Sequence, residues 1–533
     1  MKNCTLCGKI IYQYKTTEFR LCSDCYLISS GRVDSLYEKP IPIIYLPWWD
    51  NSYECLVCNQ YLDFISDCQK WCTRCYIFYS GCRYCLTTNI TFGLSDKSQC
   101  RKCKRILDIP IDIIDIMNVI SGNNDIDALI SDTRFKIKND HKIINDISSI
   151  DLTDPSNVYT FLRSNYTPSG YHSTMEWIPY SQITNLEKLA EGGFGIIYKA
   201  IWLDCKKHIS PYDPGKNKTI AVKRLKSSQK ISEEFINELK SYHKCCIVLG
   251  FVVQCHGITK DPKTDEYMLV MDYAKEGNLH DYLQKNFVDI NWTIKISMLW
   301  RISNGLKNIH DENLTHRDFH SGNILVGVNN DQNCHIGDLG LSKPASETSF
   351  NDEIYGVIPY VAPEVFNGAK FSKASDIYSL GMIMWEYTTG CKPFADVEHD
   401  HNLIYDIIDG KRPEITKDTP ECFANLMKRC WEFDPTKRPS IYEVVNAFFN
   451  WNFYKNVKQF NPAEEQRLEL IQLKLLASSI NSTSLLSLNG AIYTSRPLSA
   501  LISTVNVSRK HKIEELDIEI QDSDKRNKTD ENQ

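Results

Sequence analysis

No stretch of the 533-residue chain offers the roughly 20 uninterrupted apolar residues that a helical membrane span needs, and no such span is expected. The opening Met1-Lys2-Asn3-Cys4 lacks both the apolar run of a secretory signal and the second-position glycine of a myristoylation site. An excess of one charge is missing too: a net −6 over the whole chain leaves no electrostatic footprint for nucleic acid. These absences point to the cytoplasm, with the nucleus left open. Cysteine, in contrast, is plentiful and uneven, with 13 of 21 in the first 103 residues. In a reduced compartment that concentration implies metal rather than disulfides.

The length exceeds what one hydrophobic core supports, so at least two folded units are expected. Four regions are read: a cysteine-rich head, residues 1–104; a partly helical connector, 105–178; a central domain, 180–449; and a terminal region, 451–533. In the last, the leucine spacing from Glu464 to Ser478 predicts an amphipathic helix, and the final thirty residues are polar enough to stay unfolded.

The head carries six Cys-x-x-Cys pairs: Cys4/Cys7, Cys22/Cys25, Cys55/Cys58, Cys72/Cys75, Cys82/Cys85 and Cys100/Cys103. Each pair offers a metal two soft ligands from one turn, and Zn²⁺ takes four in a tetrahedron. Grouped in order, the pairs make three Cys₄ ribbons holding about three zinc ions, with cross-braced pairing as the alternative. Cys68 is left over. Little apolar material is evident around these pairs, so metal is expected to supply much of the folding energy. Four zinc-bound thiolates carry net negative charge, which disfavours phosphate and makes protein partners the expected occupants of the head.

In the central domain, Ala190-Glu191-Gly192-Gly193-Phe194-Gly195-Ile196-Ile197 has the glycines that let a hairpin close over phosphates. Thr219-Ile220-Ala221-Val222-Lys223 then reads as an apolar strand ending in lysine, and Glu238 follows fifteen residues later in a helical pattern. Further on stand His316-Arg317-Asp318-Phe319-His320-Ser321-Gly322-Asn323, Asp338-Leu339-Gly340 and Ala362-Pro363-Glu364. The order and spacing of these motifs resemble the eukaryotic protein kinase family over about half of the chain. Phrases such as Glu276-Gly277-Asn278-Leu279, Cys430-Trp431-Glu432 and Arg438-Pro439-Ser440 resemble its tyrosine-kinase-like group of serine/threonine kinases.

The resemblance implies an α+β bilobal fold, a β-rich upper lobe on a helical lower lobe, with ATP and Mg²⁺ bound between them. It implies that Asp318 orients the acceptor hydroxyl, that Asn323 and Asp338 hold Mg²⁺, and that Lys223 grips the α and β phosphates with Glu238 as its partner. ATP would lie against Ala190, Gly192, Gly193, Phe194, Gly195, Ile197, Ala221, Lys223, Met271, Asp272 and Ala274, with Met271 as gatekeeper. Asp376 would brace the catalytic loop, and Glu364 would pair with Arg438.

Four positions depart from the family pattern. Ala190 replaces the first glycine, Leu339 the usual phenylalanine, His320 the lysine facing the γ-phosphate, and Val357 the threonine that contacts that lysine. Replacement of both partners of one interaction suggests an altered but self-consistent site. The expected activity is transfer of phosphate to serine or threonine of protein substrates, with tyrosine as a further acceptor; the alternative is a pseudokinase adaptor working through its head. Ser346, Thr348, Ser349 and Tyr355 are candidate activating phosphosites, with Arg317 to receive their charge.

Overall fold

The computed structural model describes residues 2–4, 7–11, 25, 28–34, 40–50, 52–55, 61–72, 77–109, 121, 123, 126, 130, 175–192, 195–203, 217–225, 233–245, 250–328, 333–344, 353–453, 459–472 and 490–505.

The head holds more apolar structure than its composition suggested. Six strands, β1 (Ser29–Val33), β2 (Ile41–Leu46), β3 (Asp63–Ser66), β4 (Gln69–Cys72), β5 (Ile77–Cys82) and β6 (Thr87–Phe92), form one sheet in the order β1-β2-β6-β5-β4-β3. Every pairing is antiparallel. Ile43, Ile44, Leu46, Ile77, Phe78, Ile90 and Phe92 are buried, and Trp71 stacks on Phe78 at 4.9 Å between centroids. Beside the metal expected to supply much of the folding energy stands a second source, because this sheet removes its own apolar surface from water. Beyond it, β7 (Lys97–Gln99) pairs with β8 (Ile106–Asp108) as a separate hairpin.

The upper lobe of the central domain is built on strand alternation. Strands β9 (Glu176–Trp177), β10 (Ile183–Glu191), β11 (Gly195–Trp202), β12 (Lys218–Leu225), β13 (Cys255–Lys260) and β14 (Tyr267–Asp272) lie in the order β9-β13-β14-β12-β11-β10. Because side chains alternate faces, Ile220 and Val222 of β12 enter the sheet's own core with Ala200, Trp202, Met268 and Val270. Ala221 and Lys223 are thereby turned to the opposite face. Helix α1 (Glu233–Cys245) packs on that face through Phe235, Leu239 and Tyr242, spaced at i, i+4 and i+7, which also brings Glu238 inward.

The lower lobe contains α2 (Leu279–Asn286), α3 (Trp292–Asp311), strands β15 (Ile324–Val326) and β16 (Cys334–Ile336), then α4 (Lys373–Thr389), α5 (His401–Ile408), α6 (Glu421–Cys430), α7 (Ile441–Phe453) and α8 (Asn461–Gln472). Asn291 caps α3 by accepting the Ile294 amide at 2.9 Å. Helix α4 opens on a reciprocal Ser372/Ser375 cap and closes on Gly390, whose φ of 72° suits only glycine comfortably. Residues 473–478, the rest of the helix expected from Glu464 to Ser478, lie outside the described residues. Within α8 the buried side chains are Ala463 and Arg467, while Leu468 is exposed. The helix is held by a polar clamp: Arg467 donates to the Val288 carbonyl at 2.8 Å, and Glu464 accepts the Trp292 amide at 3.1 Å. No helix among the described residues is long and apolar enough to cross a membrane.

Candidate active site and cysteine clusters

Between the lobes lies a cleft of about 390 Å³. Its walls include Ala190, Ile197, Ala221, Lys223, Met271, Asp272, Ala274, Asn323 and Asp338. Leu189, Tyr242, Val253 and Leu325 also line it, and the sequence reading missed them. Tyr242 was legible in principle, one helical turn beyond Glu238 on the same face. Gly192 and Gly195 close a tight turn, the Gly192 amide donating to the Gly195 carbonyl at 2.9 Å, but neither lines the cleft. Gly193 and Phe194 lie outside the described residues. Asp272 is committed elsewhere: its carboxylate is 2.6 Å from Lys218 Nζ and 2.8 Å from His256 Nε2. These two partners overcome its burial and hold its pKa well below the usual carboxylate range.

Lys223 Nζ donates to Glu238 Oε1 and to Asp338 Oδ1, each at 2.7 Å. Burial alone would lower the lysine's pKa, but Asp338 and then Glu238 more than reverse this, so the ammonium stays charged. Burial likewise raises Asp338, and Lys223 pulls it back below its ordinary value. The Asp338 amide donates to the Tyr242 hydroxyl at 2.9 Å, so α1 holds both ends of the arrangement, through Glu238 and through Tyr242. Asp338 has φ 53°, a backbone cost of about 1–3 kcal/mol that persists only where the surroundings enforce it. Leu339, the departure from phenylalanine, is fully buried.

The loop before β15 is tied to α4. Asp376 accepts the amides of His316 at 2.9 Å and Arg317 at 3.1 Å, and lies 2.9 Å from His310 Nε2. His316 Nε2 donates to the Gly337 carbonyl at 3.1 Å, joining this loop to the segment carrying Asp338. Asn323 Nδ2 donates to the Asp318 carbonyl at 2.9 Å and reaches its Oδ2 at 3.3 Å. His320 Nδ1 accepts the Gly322 amide at 3.0 Å, so in the neutral ring the proton sits on Nε2. That nitrogen faces Asp318 Oδ1 at 3.6 Å, just beyond a hydrogen bond. Val357 is buried and lines a small cavity with Asp318. Arg438 forks onto both oxygens of Glu364 at 2.7 Å.

Of the candidate phosphosites, Ser346, Thr348 and Ser349 lie outside the described residues, while Tyr355 is described. Arg317 is buried, its guanidinium 5.1 Å from the Phe371 ring centroid.

The cysteines form local knuckles. Gly8, Leu86 and Lys104 each follow a Cys-x-x-Cys pair, have φ of 74°, 52° and 60°, and donate back to the carbonyls of Cys4, Cys82 and Cys100 at 2.9, 2.8 and 2.8 Å. Such a turn points both thiols to one side. Cys82, Cys85, Cys100 and Cys103 bring their sulfurs within 4.8 Å of one another, and Cys4, Cys7 and Cys25 do the same. Cys82 and Cys103 are 3.7 Å apart, which fits a tetrahedral Zn²⁺ with bonds of about 2.3 Å. Burial raises Cys100, yet the Cys103 amide and the Thr87 hydroxyl bring it down to about 6, whereas burial and the neighbouring thiols push Cys85 up to about 12. Both groupings follow the in-order pairing rather than a cross-brace. Cys55 and Cys72 are buried, while Cys22, Cys58 and Cys75 lie outside the described residues. The leftover Cys68 accepts from Arg83 Nε at 2.7 Å.

Residues 183–448 match the family model described as protein tyrosine and serine/threonine kinase. A "Probable serine/threonine-protein kinase" of Dictyostelium discoideum is 28% identical over 287 residues, 51% of this chain and 15% of that protein. Mitogen-activated protein kinase kinase kinase 7 of Drosophila melanogaster is 28% identical over 296 residues, 54% of this chain and 39% of its own. The chain thus spans less than half the length of either relative.

Proposed function

We propose, on the premise that residues 183–448 form a protein kinase domain, that this chain transfers the γ-phosphoryl group of ATP to serine or threonine hydroxyls of proteins. The observation that carries it is the junction at Lys223, whose Nζ meets Glu238 and Asp338 at 2.7 Å. Lys223 and Asp338, 115 residues apart, meet at one wall of a cleft large enough for a nucleotide, with Glu238 behind the lysine. An adaptor that only displays its head has no chemical use for that convergence.

In this reading Lys223, fixed by Glu238, grips the nucleotide's phosphates. Asp318 sits where it can receive the proton of an acceptor hydroxyl. Asn323 spends its amide N–H on Asp318, which leaves its oxygen to join Asp338 as a hard donor set suited to Mg²⁺. The ion, when bound, neutralises charge on the transferring group. His320 offers an N–H toward the acceptor side where the family has lysine, and Val357 packs without the hydroxyl such a lysine would need. Serine and threonine are favoured because the arginine signature of tyrosine kinases is missing after Asp318, and because the Dictyostelium relative named above is a serine/threonine kinase by description. Membership of the tyrosine-kinase-like group rests on the phrases around Glu276, Trp431 and Arg438.

For the head we propose structural Zn²⁺ at the two sulfur clusters, with a third site at Cys55, Cys58, Cys72 and Cys75, and a role in binding protein partners. The reduced thiols this requires favour the cytoplasm. Purified protein with labelled ATP, Mg²⁺ and a generic protein acceptor tests the activity, with phosphoamino-acid analysis of the product. Label on serine or threonine, abolished by Asp318→Asn and by Lys223→Met, is the expected result. Absence of transfer to itself or to any acceptor refutes it.

A further inference from the structure

A segment with no sequence motif lies along a strand edge that leads to the loop carrying Asp318. Residues 496–497 pair antiparallel with residues 355–356, in the register Tyr355↔Pro497 and Gly356↔Arg496. The ladder extends one residue further, with the Leu498 amide donating to the Ile354 carbonyl at 2.7 Å and the Ile354 amide to Ser499 Oγ at 3.0 Å. Leu498, Ile502 and Val505, at i, i+4 and i+7, are buried in the core cluster that also holds Val357, Ile358, Val361, Leu403, Ile404 and Ile407.

A second set of contacts fastens the segment to the loop before α5. The His399 amide donates to the Gly490 carbonyl at 3.0 Å, and Arg496 donates to the His399 carbonyl. Tyr493 donates its hydroxyl to the Pro393 carbonyl at 2.9 Å and stands edge-on to the His399 ring, 4.7 Å between centroids. Tyr405 of α5 donates to the Val505 carbonyl at 3.1 Å.

The edge it covers leads directly to the catalytic loop. Val357, next after the paired Gly356, shares a cavity with Asp318. Tyr360 lies 5.8 Å from the His320 ring and 3.3 Å from Ser321 Oγ. An extended peptide gains main-chain hydrogen bonds most readily by adding a strand to an open edge, and an acceptor must run past Asp318 to present its hydroxyl in line. The strand at Tyr355–Gly356 is such an edge, and it is already taken.

We propose that residues 490–505 occupy the acceptor-peptide edge of this domain in cis, so that a protein substrate must displace the chain's own C-terminal segment before it can be phosphorylated. The occupant that replaces it is an extended peptide with an apolar side chain at the place of Leu498. The inference rests on the kinase reading above. The nucleotide cleft is untouched, because none of its lining residues comes from 490–505.

The test compares the full chain with Leu498→Asp, with Arg496→Ala, and with a chain ending at residue 489, measuring ATP hydrolysis without acceptor and phosphorylation of dephosphorylated casein. If the open form is about one tenth populated, releasing the segment lowers the casein KM about tenfold and leaves the ATP KM unchanged. A synthetic peptide of residues 488–506 added in trans to the shortened chain is expected to inhibit competitively against casein and not against ATP. Should the shortened chain fail to fold, the two point variants carry the KM comparison. ATP hydrolysis with an unaltered casein KM in every folded variant, or no competition by the peptide, overturns the proposal alone. Loss of both hydrolysis and transfer in the full chain overturns the kinase reading and this inference with it.

Discussion

Lys295, on the third helix of the domain, is fully buried, and its Nζ has no hydrogen-bond partner among the described residues. Its surroundings are the faces of Phe287 and Trp292, whose centroids lie 4.6 and 4.8 Å away. Burial, aided by the nearby Arg467 charge, pushes its pKa down from 10.5 to about 7, partly opposed by the attraction of Asp418 and Glu464. That interval corresponds to roughly 5 kcal/mol at 1.36 kcal/mol per tenfold change. Two aromatic faces return up to about 2 kcal/mol of this to the charged form. Replacing Lys295 by methionine, similar in length and without charge, should therefore stabilise the domain by roughly 2–3 kcal/mol near pH 6.

The effect has a definite pH dependence. Between about 7 and 10.5 the unfolded lysine binds a proton that the folded one has lost, so wild-type stability rises with pH across that window. Below it the full penalty applies; above it none remains. Thermal melts of the two proteins from pH 6 to pH 10 should show the variant melting roughly 5–10 °C higher at the acid end, with the gap closing toward pH 10. A variant no more stable at pH 6, or a gap independent of pH, refutes the reasoning.

Three further outcomes are expected. Arg438→Ala strands the Glu364 carboxylate and should cost about 3–5 kcal/mol, read as a loss of melting temperature, whereas replacing both by apolar residues should cost far less. Tyr242→Phe removes the hydroxyl that accepts the Asp338 amide; it should cost about 1 kcal/mol of stability and lower kcat more than it changes the ATP KM, with a pure stability effect counting against a positioning role. Chelation, or Cys100→Ser, should release zinc measurable by metal analysis and loosen the knuckles, while the six-stranded sheet keeps part of its far-ultraviolet signal because its core is apolar. Complete unfolding of the head on chelation would show that the sheet does not support itself.

What the chain's order alone determined was chemistry carried by short, local spacings. Cys-x-x-Cys followed by a residue that turns left-handed makes a knuckle whatever surrounds it, so the pairs were readable, while the choice between in-order and cross-braced grouping waited for the structure. The resemblance likewise implied that Ala221 and Lys223 would lie against the nucleotide, and the alternation of β12 is the reason that they share the face opposite Ile220 and Val222. Partnerships across long separations had to wait for tertiary structure. Lys223 and Asp338 are 115 residues apart, and nothing local says that they touch in addition to Lys223 and Glu238. The six-stranded sheet stayed hidden because its strands are short and interrupted by the cysteine turns, so the apolar residues never formed a long alternating run. Nothing in the residues beside Lys295 in the chain marks it as enclosed; its burial comes from the tertiary packing around it. The segment 490–505 had no motif at all, since a strand added to an edge is bound through main-chain amides and carbonyls, which every residue carries. Only the fold decided which edge stood open and which part of the chain lay on it.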